Sequence, residues 1–208
     1  MTSLLNAESI RQSQYAADPY PHFLGANFLR AEAIPALRRD FPEITKPGYL
    51  TVDDVELKGA FRDLIRELES PELTEVLSAR FGIDLHPYPR LTTIMKRSQP
   101  KYGAIHTDGP SKVMTMLVYM NDEWQQGEGG RLRALYNGTD FEPYACEVPP
   151  IMGSVFGFLR TDNSWHGHRP FAGERGVVQI AWIKDQKELD RKRRRNSFAQ
   201  VLKGVFGR

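Results

Sequence analysis

The chain has 208 residues, of which 40% are hydrophobic and 26% charged, and its formal net charge is +2. These values are typical of one folded globular domain, and no stretch approaches the roughly 20 apolar residues of a membrane-spanning helix. A single cysteine, Cys146, excludes an internal disulfide and a cysteine-based zinc cluster. Since the N-terminus lacks a secretory signal pattern, we expect a cytoplasmic protein.

The charge is unevenly distributed along the chain. Residues 184–208 contain nine Lys/Arg against three Asp/Glu, whereas the rest of the chain has 19 basic and 23 acidic side chains. The basic character therefore belongs to the C-terminal segment, and the body before it is acidic. An acidic body without a base-reading motif makes nucleic acid an unlikely partner.

The first part of the chain has helical patterns. Apolar residues recur at helical spacing in residues 28–41 and 55–68. A third helix begins at Pro71 and ends at Gly82, because proline fits the first turn of a helix and glycine its C-terminal cap. The sequence therefore predicts a helical part over about residues 1–86.

The pattern changes after Pro87. Short runs rich in Val, Ile, Thr and aromatic residues alternate with Gly, Pro, Asn and Asp, as is typical of antiparallel strands in a sandwich or barrel. These runs are RLTTIMKR, KVMTMLVYMN, GGRLRALY, GSVFGFLR and GVVQIAWI. We therefore predict one α+β domain over residues 1–184, with its β-core over about residues 87–184.

The last segment, residues 185–208, predicts a basic amphipathic helix. Apolar residues at helical spacing follow the run RKRRR, and they are Phe198, Val201, Leu202, Val205 and Phe206. Such a helix suits an anionic membrane surface or a partner groove, and it can equally dock on its own domain or on a second subunit. A non-catalytic β-domain that binds through this helix is our alternative to an enzyme.

Two histidines and one aspartate could form a metal site, and three of the histidines are candidates for it. His106 and Asp108 are two residues apart at the end of a predicted strand, so both side chains leave the same face. A second imidazole must come from NSWHGHRP, about 60 residues downstream, where both His166 and His168 are available. Two imidazoles and one carboxylate leave three positions of an octahedral metal open, which is the pattern of non-haem Fe(II) oxygenases.

The ordered motifs of the β-rich part resemble the prolyl-4-hydroxylase-like branch of the Fe(II)/2-oxoglutarate-dependent dioxygenases. Between about Arg90 and Lys184 they are HTD, TMLVYMN, GGRLRAL, PPIMGSVFGF, SWHGHRP and GERGVVQIAW. The resemblance implies a double-stranded β-helix, a jelly-roll core of antiparallel strands on which the N-terminal helices pack. It also implies Fe(II) as the metal, with 2-oxoglutarate and dioxygen as cosubstrates.

The resemblance also assigns the metal ligands. His106, Asp108 and one downstream histidine would bind Fe(II) and carry the catalysis. We choose His166, because it precedes the basic cosubstrate-binding residue, Arg175, by nine residues, as in the family, whereas His168 precedes it by seven. His168 is then expected to line the pocket or to hydrogen-bond to the ligands.

The remaining site residues would bind the cosubstrate. Arg175 is expected to pair with the distal carboxylate of 2-oxoglutarate, whose charge is costly to bury unpaired. Tyr119 resembles the family's tyrosine that donates to the same carboxylate. Thr115 is a further candidate for the pocket wall, and Gln179, four residues after Arg175 on the same strand face, could add an amide contact. Read alone, Tyr119 is equally an ordinary core aromatic and Arg175 a solvated strand residue beside Glu174.

The resemblance implies that oxidative decarboxylation of 2-oxoglutarate to succinate and carbon dioxide is coupled to hydroxylation of a substrate. Asp108 favours hydroxylation, because halogenating relatives replace this carboxylate with a small residue. The two predicted specificity loops, DGPSK and NDEWQQGEGG, contain no recognisable substrate code. We expect a small molecule or a short peptide as the substrate.

Overall fold

The computed structural model describes residues 3–194, which form two antiparallel β-sheets with helices packed on one of them. The helices are α1 (Glu8–Arg11), α2 (Ile34–Arg39), α3 (Gly59–Leu68) and α4 (Pro71–Phe81), and residues 186–194 are also helical. Within the described residues, no helix has the length and apolar character needed to cross a membrane. The residues that define the predicted amphipathic helix, Phe198 to Phe206, lie outside the described part of the chain.

The first five strands of the chain belong to the larger sheet, and the later strands are divided between the two sheets. In chain order they are β1 (Gln14–Ala16), β2 (His22–Gly25), β3 (Leu50–Thr51), β4 (Arg90–Ser98), β5 (Lys112–Tyr119), β6 (Leu132–Leu135), β7 (Tyr144–Val148), β8 (Val155–Leu159), β9 (His166–Gly167) and β10 (Gly173–Ile183). The larger sheet has the order β1-β2-β8-β5-β10-β4-β3, and the smaller sheet has the order β7-β6-β9. The α+β class and the double-stranded β-helix predicted from the sequence are confirmed.

Alternation along the strands of the larger sheet separates two cores. On one face, Ile94, Val118, Val178 and Ile180 pack against the helices. On the other face, the larger sheet meets the smaller one through residues that include Met95, Leu117, Tyr119, Leu132, Ala134, Phe156 and Val177. Because side chains on a strand alternate between faces, the residues of the second set can reach the space between the sheets.

The helices that position the larger sheet begin and end where local chemistry dictates. The Ser70 hydroxyl accepts a hydrogen bond from the backbone N–H of Leu73 at 3.2 Å, which caps the N-terminus of α4. Gly82 ends α4 in the left-handed region at φ 68°, where a side chain would be strained. The helix predicted between Pro71 and Gly82 is therefore confirmed at both ends.

The N-terminal part contains strands that the helical patterns did not predict. β2 pairs with β8, and β3 pairs with β4, so residues before the predicted β-core extend the larger sheet on both sides. These strands have four and two residues, too few to show an alternating pattern. The predicted helices are also shorter than their patterns, since α2 begins only at Ile34.

Candidate active site

His106, in the loop before β5, meets His166 of β9 at the edge of the smaller sheet. The backbone N–H of His106 donates to the carbonyl of His166, and the N–H of His166 donates back, each at 3.0 Å. The centroids of the two imidazole rings are 4.4 Å apart. With Asp108 the rings form a cluster in which one ligand atom of each residue lies within 4.8 Å of the others. The structure thus brings together the three residues predicted to bind the metal.

Both imidazoles are oriented by backbone carbonyls. The Nδ1 atom of His106 lies 2.9 Å from the carbonyl oxygen of Ala104, and the Nδ1 atom of His166 lies 2.9 Å from that of Ser164. Since a carbonyl only accepts, each Nδ1 carries the proton and each Nε2 keeps its lone pair for a metal. Two such nitrogens and one carboxylate are the donor set of a non-haem Fe(II) centre, so the residues present fit this metal.

Burial favours the neutral form of His166. The loss of solvent lowers its pKa to about 4, although the charge of Asp108 acts in the opposite direction. A metal binds the unprotonated imidazole. The side chain is therefore ready to bind a metal at neutral pH without losing a proton.

The Asp108 carboxylate is held by two donors from β5. The Lys112 ammonium donates to Oδ1 at 2.7 Å, and the Thr115 hydroxyl donates to Oδ2 at 2.6 Å. Burial alone would raise the pKa of Asp108, but the charge of Lys112 and these two hydrogen bonds outweigh it and hold the pKa well below its usual range. Asp108 is therefore an oriented, ionised carboxylate.

Thr115 has a different place from the one expected. The sequence predicts it in the wall of the cosubstrate pocket, but its hydroxyl contacts Asp108 and it does not line the cavity that contains Arg175. The reason is the strand register, which places Thr115 opposite Phe158 and Ala181, at the end of β5 nearest to Asp108. The four-residue spacing from Tyr119 predicted the face of β5 on which Thr115 lies, but not that its neighbour is Asp108.

A cavity of about 360 Å³ opens between the sheets beside the histidines. Its lining includes Tyr49, His106, His166, His168, Arg175 and Gln179. Gln179 thus lies in the wall of the pocket. The two histidine candidates and Arg175 share one space, which is the arrangement that a chelating dicarboxylate requires.

Arg175 is the buried cation of this cavity. Only 1% of its surface is exposed, its Nε donates to the carbonyl of Gly130 at 2.9 Å, and its Nη2 donates to the phenol oxygen of Tyr119 at 2.9 Å. Within the described residues these two acceptors are a carbonyl and a phenol, and neither carries a charge that balances the guanidinium. A buried charge of this kind is costly, so the site is built for an anion.

His168 lines the same cavity but is bound differently from His166. Its Nδ1 lies 2.9 Å from the carbonyl oxygen of Arg169, and within the described residues its buried Nε2 has no hydrogen-bond partner. Burial, together with the charge of Arg175, lowers its pKa to about 4. Gly103 makes room for this ring, since a Cβ there would overlap the imidazole. His168 is therefore a neutral wall of the pocket.

Sequence reasoning missed two residues of the site. Lys112 follows Asp108 by four residues, a spacing that predicts a contact in a helix. Here a turn separates the two residues, and the same spacing then predicts no contact. Tyr49 lies in the N-terminal part, among helical patterns, and no motif surrounds it. Their contacts arise only from the folded arrangement.

Residues 94–184 match the family model described as the 2OG-Fe(II) oxygenase superfamily. This region contains all seven residues predicted for the site. No curated protein matches the chain at the level of sequence.

Solved structures share the fold at low sequence identity. A prolyl-4-hydroxylase from Pseudomonas putida is 17% identical with a TM-score of 0.56, and the likeness covers 86% of this chain and 97% of that one. A prolyl 4-hydroxylase from Phytophthora capsici is 18% identical with a TM-score of 0.59, covering 88% and 65%. A prolyl hydroxylase from Trichoplax adhaerens, in complex with a hypoxia inducible factor peptide fragment, is 15% identical with a TM-score of 0.52, covering 90% and 89%.

These likenesses concern the fold, whereas the family match concerns the sequence of the region that carries the histidines, Asp108 and Arg175. The two agree with the geometry of the cavity. Residues 94–184, which are less than half of the chain, are therefore similar to the 2OG-Fe(II) oxygenase superfamily, whose members use Fe(II), 2-oxoglutarate and dioxygen.

Proposed function

We propose that this protein is a hydroxylase in which His106, Asp108 and His166 bind Fe(II) and Arg175 binds 2-oxoglutarate. The observation that carries the proposal is one cavity lined by His106, His166 and a buried arginine, for which the described residues provide no balancing carboxylate. Asp108 is clustered with the same two histidines. Bound Fe(II) supplies the oxidising chemistry, which couples the oxidative decarboxylation of 2-oxoglutarate to substrate hydroxylation.

The protein's own backbone and side chains orient the three residues that would bind the metal. The carbonyls of Ala104 and Ser164 fix the two imidazoles by accepting from Nδ1, and β5 fixes the Asp108 carboxylate. Orienting contacts of this kind keep ligands in position before the metal arrives. His106 is exposed, whereas Asp108 and His166 are buried. A ligand would therefore reach the metal site from the side of His106.

Arg175 would bind the distal carboxylate of the cosubstrate. Its planar guanidinium is a bidentate donor, and its position is fixed by Gly130 and Tyr119. Burial raises the pKa of Tyr119 to about 12, although the guanidinium acts to lower it, so the phenol keeps its proton. The guanidinium is a donor only, and no phenolate neutralises it, which favours a carboxylate over any cationic ligand.

For the substrate we propose a small molecule or a short peptide. A peptide is supported by the Trichoplax adhaerens prolyl hydroxylase of similar fold, which was solved with a peptide fragment. A cytoplasmic location, one domain over residues 1–184 and a membrane or subunit contact through residues 185–208 remain our predictions. The last of these depends largely on residues outside the described part of the chain.

The test is anaerobic binding of Fe(II) and 2-oxoglutarate. The wild-type protein should form the visible charge-transfer band of this enzyme class and release succinate slowly in air without added substrate. His166→Ala and Asp108→Ala should abolish both signals, whereas His86→Ala, an exposed histidine paired with Glu75, should retain them. A band that survives His166→Ala but disappears in His168→Ala would contradict the ligand assignment.

A further inference from the structure

Tyr49 lines the cavity together with Arg175, although it lies before the family-matched residues 94–184. It is the residue directly before β3. The backbone N–H of the preceding Gly48 donates to the carbonyl of Arg97 at 2.9 Å, which fastens this segment to β4. The segment is therefore a fixed wall of the cavity.

The strand register explains why the Tyr49 ring faces the cavity. Thr51 of β3 pairs with Thr93 of β4, which pairs in turn with the cavity residue Gln179 of β10. Tyr49 is two residues before Thr51, so alternation puts it on the same face of the sheet. In agreement, Tyr49 packs in the core between the sheets, whereas Leu50 packs on the helix side.

Tyr49 and Arg175 line the same cavity, which brings the Tyr49 phenol near the guanidinium. Burial raises the pKa of this phenol, while the charge of Arg175 and a hydrogen bond with it act to lower that pKa. A guanidinium has donors only, so the phenol oxygen accepts, and the phenol proton is left for another acceptor. Tyr49 thus presents an O–H donor next to a buried cation.

Tyr119 has a different place around the same cation. It is completely buried, it accepts from Nη2 of Arg175 at 2.9 Å, and it is not among the residues that line the cavity. Tyr119 therefore supports the guanidinium, and Tyr49 is the phenol with direct access to a ligand.

We propose that Tyr49 is a cosubstrate-specificity residue whose hydroxyl donates to the distal carboxylate of 2-oxoglutarate beside Arg175. This inference rests on the proposed function. It means that the N-terminal part supplies a direct contact to the cosubstrate, in addition to packing against the β-core. It also means that one cation and at least one neutral donor recognise the carboxylate. Such a site binds a carboxylate more tightly than a methyl group of the same size.

The experiment compares 2-oxoglutarate with 2-oxovalerate, which has a methyl group in place of the distal carboxylate. Each is titrated into the anaerobic Fe(II) protein, and the charge-transfer band gives its Kd. Tyr49→Phe should raise the Kd of 2-oxoglutarate about tenfold, as for the loss of a hydrogen bond to a charged group. It should change the Kd of 2-oxovalerate less than about twofold, because the ring is retained and that ligand has no acceptor there.

Tyr15→Phe is the matched control, because Tyr15 is an exposed tyrosine of β1 outside the cavity and the same atom is removed. This variant should bind both 2-oxoacids as the wild type does. Equal Kd values for 2-oxoglutarate in the wild type and Tyr49→Phe would overturn the inference, as would an equal weakening of both ligands, which indicates a merely structural role. If the wild type forms a band that His166→Ala abolishes, either result leaves the proposed function standing. A wild type without any band would overturn both.

Discussion

The guanidinium of Arg175 donates to the phenol oxygen of Tyr119 at 2.9 Å, and both side chains are almost completely buried in the space between the two sheets. The Arg175 carbon Cζ also lies 5.1 Å from the centroid of the Tyr119 ring. The protein therefore holds a positive charge in its interior with neutral neighbours, and this charge is the basis of our first prediction.

Arg175→Met should weaken cosubstrate binding strongly and preserve metal binding. Loss of one partner of a buried ion pair costs about 3 kcal/mol or more, which corresponds to a Kd for 2-oxoglutarate raised roughly a hundredfold. The Kd for Mn(II) without cosubstrate should stay within about twofold, because Arg175 is not a metal ligand. Isothermal titration calorimetry measures both constants, and parallel losses of the two would contradict the separation of the sites.

Thr115→Val should weaken metal binding and leave cosubstrate recognition unchanged. The Thr115 hydroxyl donates to Oδ2 of Asp108 at 2.6 Å, and loss of such an orienting contact typically lowers metal affinity about tenfold. Once Fe(II) is saturating, the Kd of 2-oxoglutarate should match that of the wild type. The result therefore decides between the position found for Thr115 and the position expected from sequence.

Thr92→Val is the control for this experiment. Thr92 is as buried as Thr115 and belongs to the same sheet, but its hydroxyl donates to Glu69 on the helix side. This variant should lose some stability and keep its Mn(II) affinity. A tenfold loss in both variants would mean that the effect is general to the sheet.

Gly157→Ala should destabilise the larger sheet. A Cβ at Gly157 would lie 2.6 Å from Cζ of Phe23, within the interface of β8 and β2. Overpacking of this kind costs about 1–3 kcal/mol of unfolding free energy. Gly109→Ala is the matched control, because a Cβ at Gly109 meets nothing within 4 Å. Urea unfolding should show a lower midpoint for Gly157→Ala only, and equal midpoints would contradict the packing.

His22 should make the fold less stable in mild acid. Burial lowers its pKa below the ordinary 6.5, so the unfolded chain binds a proton more readily than the folded one. The stability that the neutral ring contributes above its ordinary pKa is lost as the pH falls toward the lower pKa of the folded state. His22→Gln should therefore show a smaller loss of unfolding free energy between about pH 7.5 and pH 5. Denaturant titrations across this range measure it, and parallel curves for the two proteins would be the contrary result.

The sequence was sufficient to predict the positions of those site residues that belong to local patterns. His106 and Asp108 share a face because of their two-residue spacing, and the ordered motifs place His166 and Arg175 on neighbouring parts of the β-core. Thr115 could not be placed, because alternation gives the face of a strand and leaves open which neighbouring side chain it meets. The contacts of Lys112 and Tyr49 depend on a turn and on a pairing over more than 40 residues, and neither leaves a periodic signal.

The two short N-terminal pairings have a consequence for any attempt to isolate the oxygenase region. β2 covers the outer side of β8, and β3 covers the outer side of β4, so the strands that carry the site lie inside the larger sheet. A fragment confined to the matched residues 94–184 would expose two rows of unpaired backbone donors and acceptors, which are templates for intermolecular strand addition. Such a fragment should aggregate, because it lacks the N-terminal strands that pair with β8 and β4.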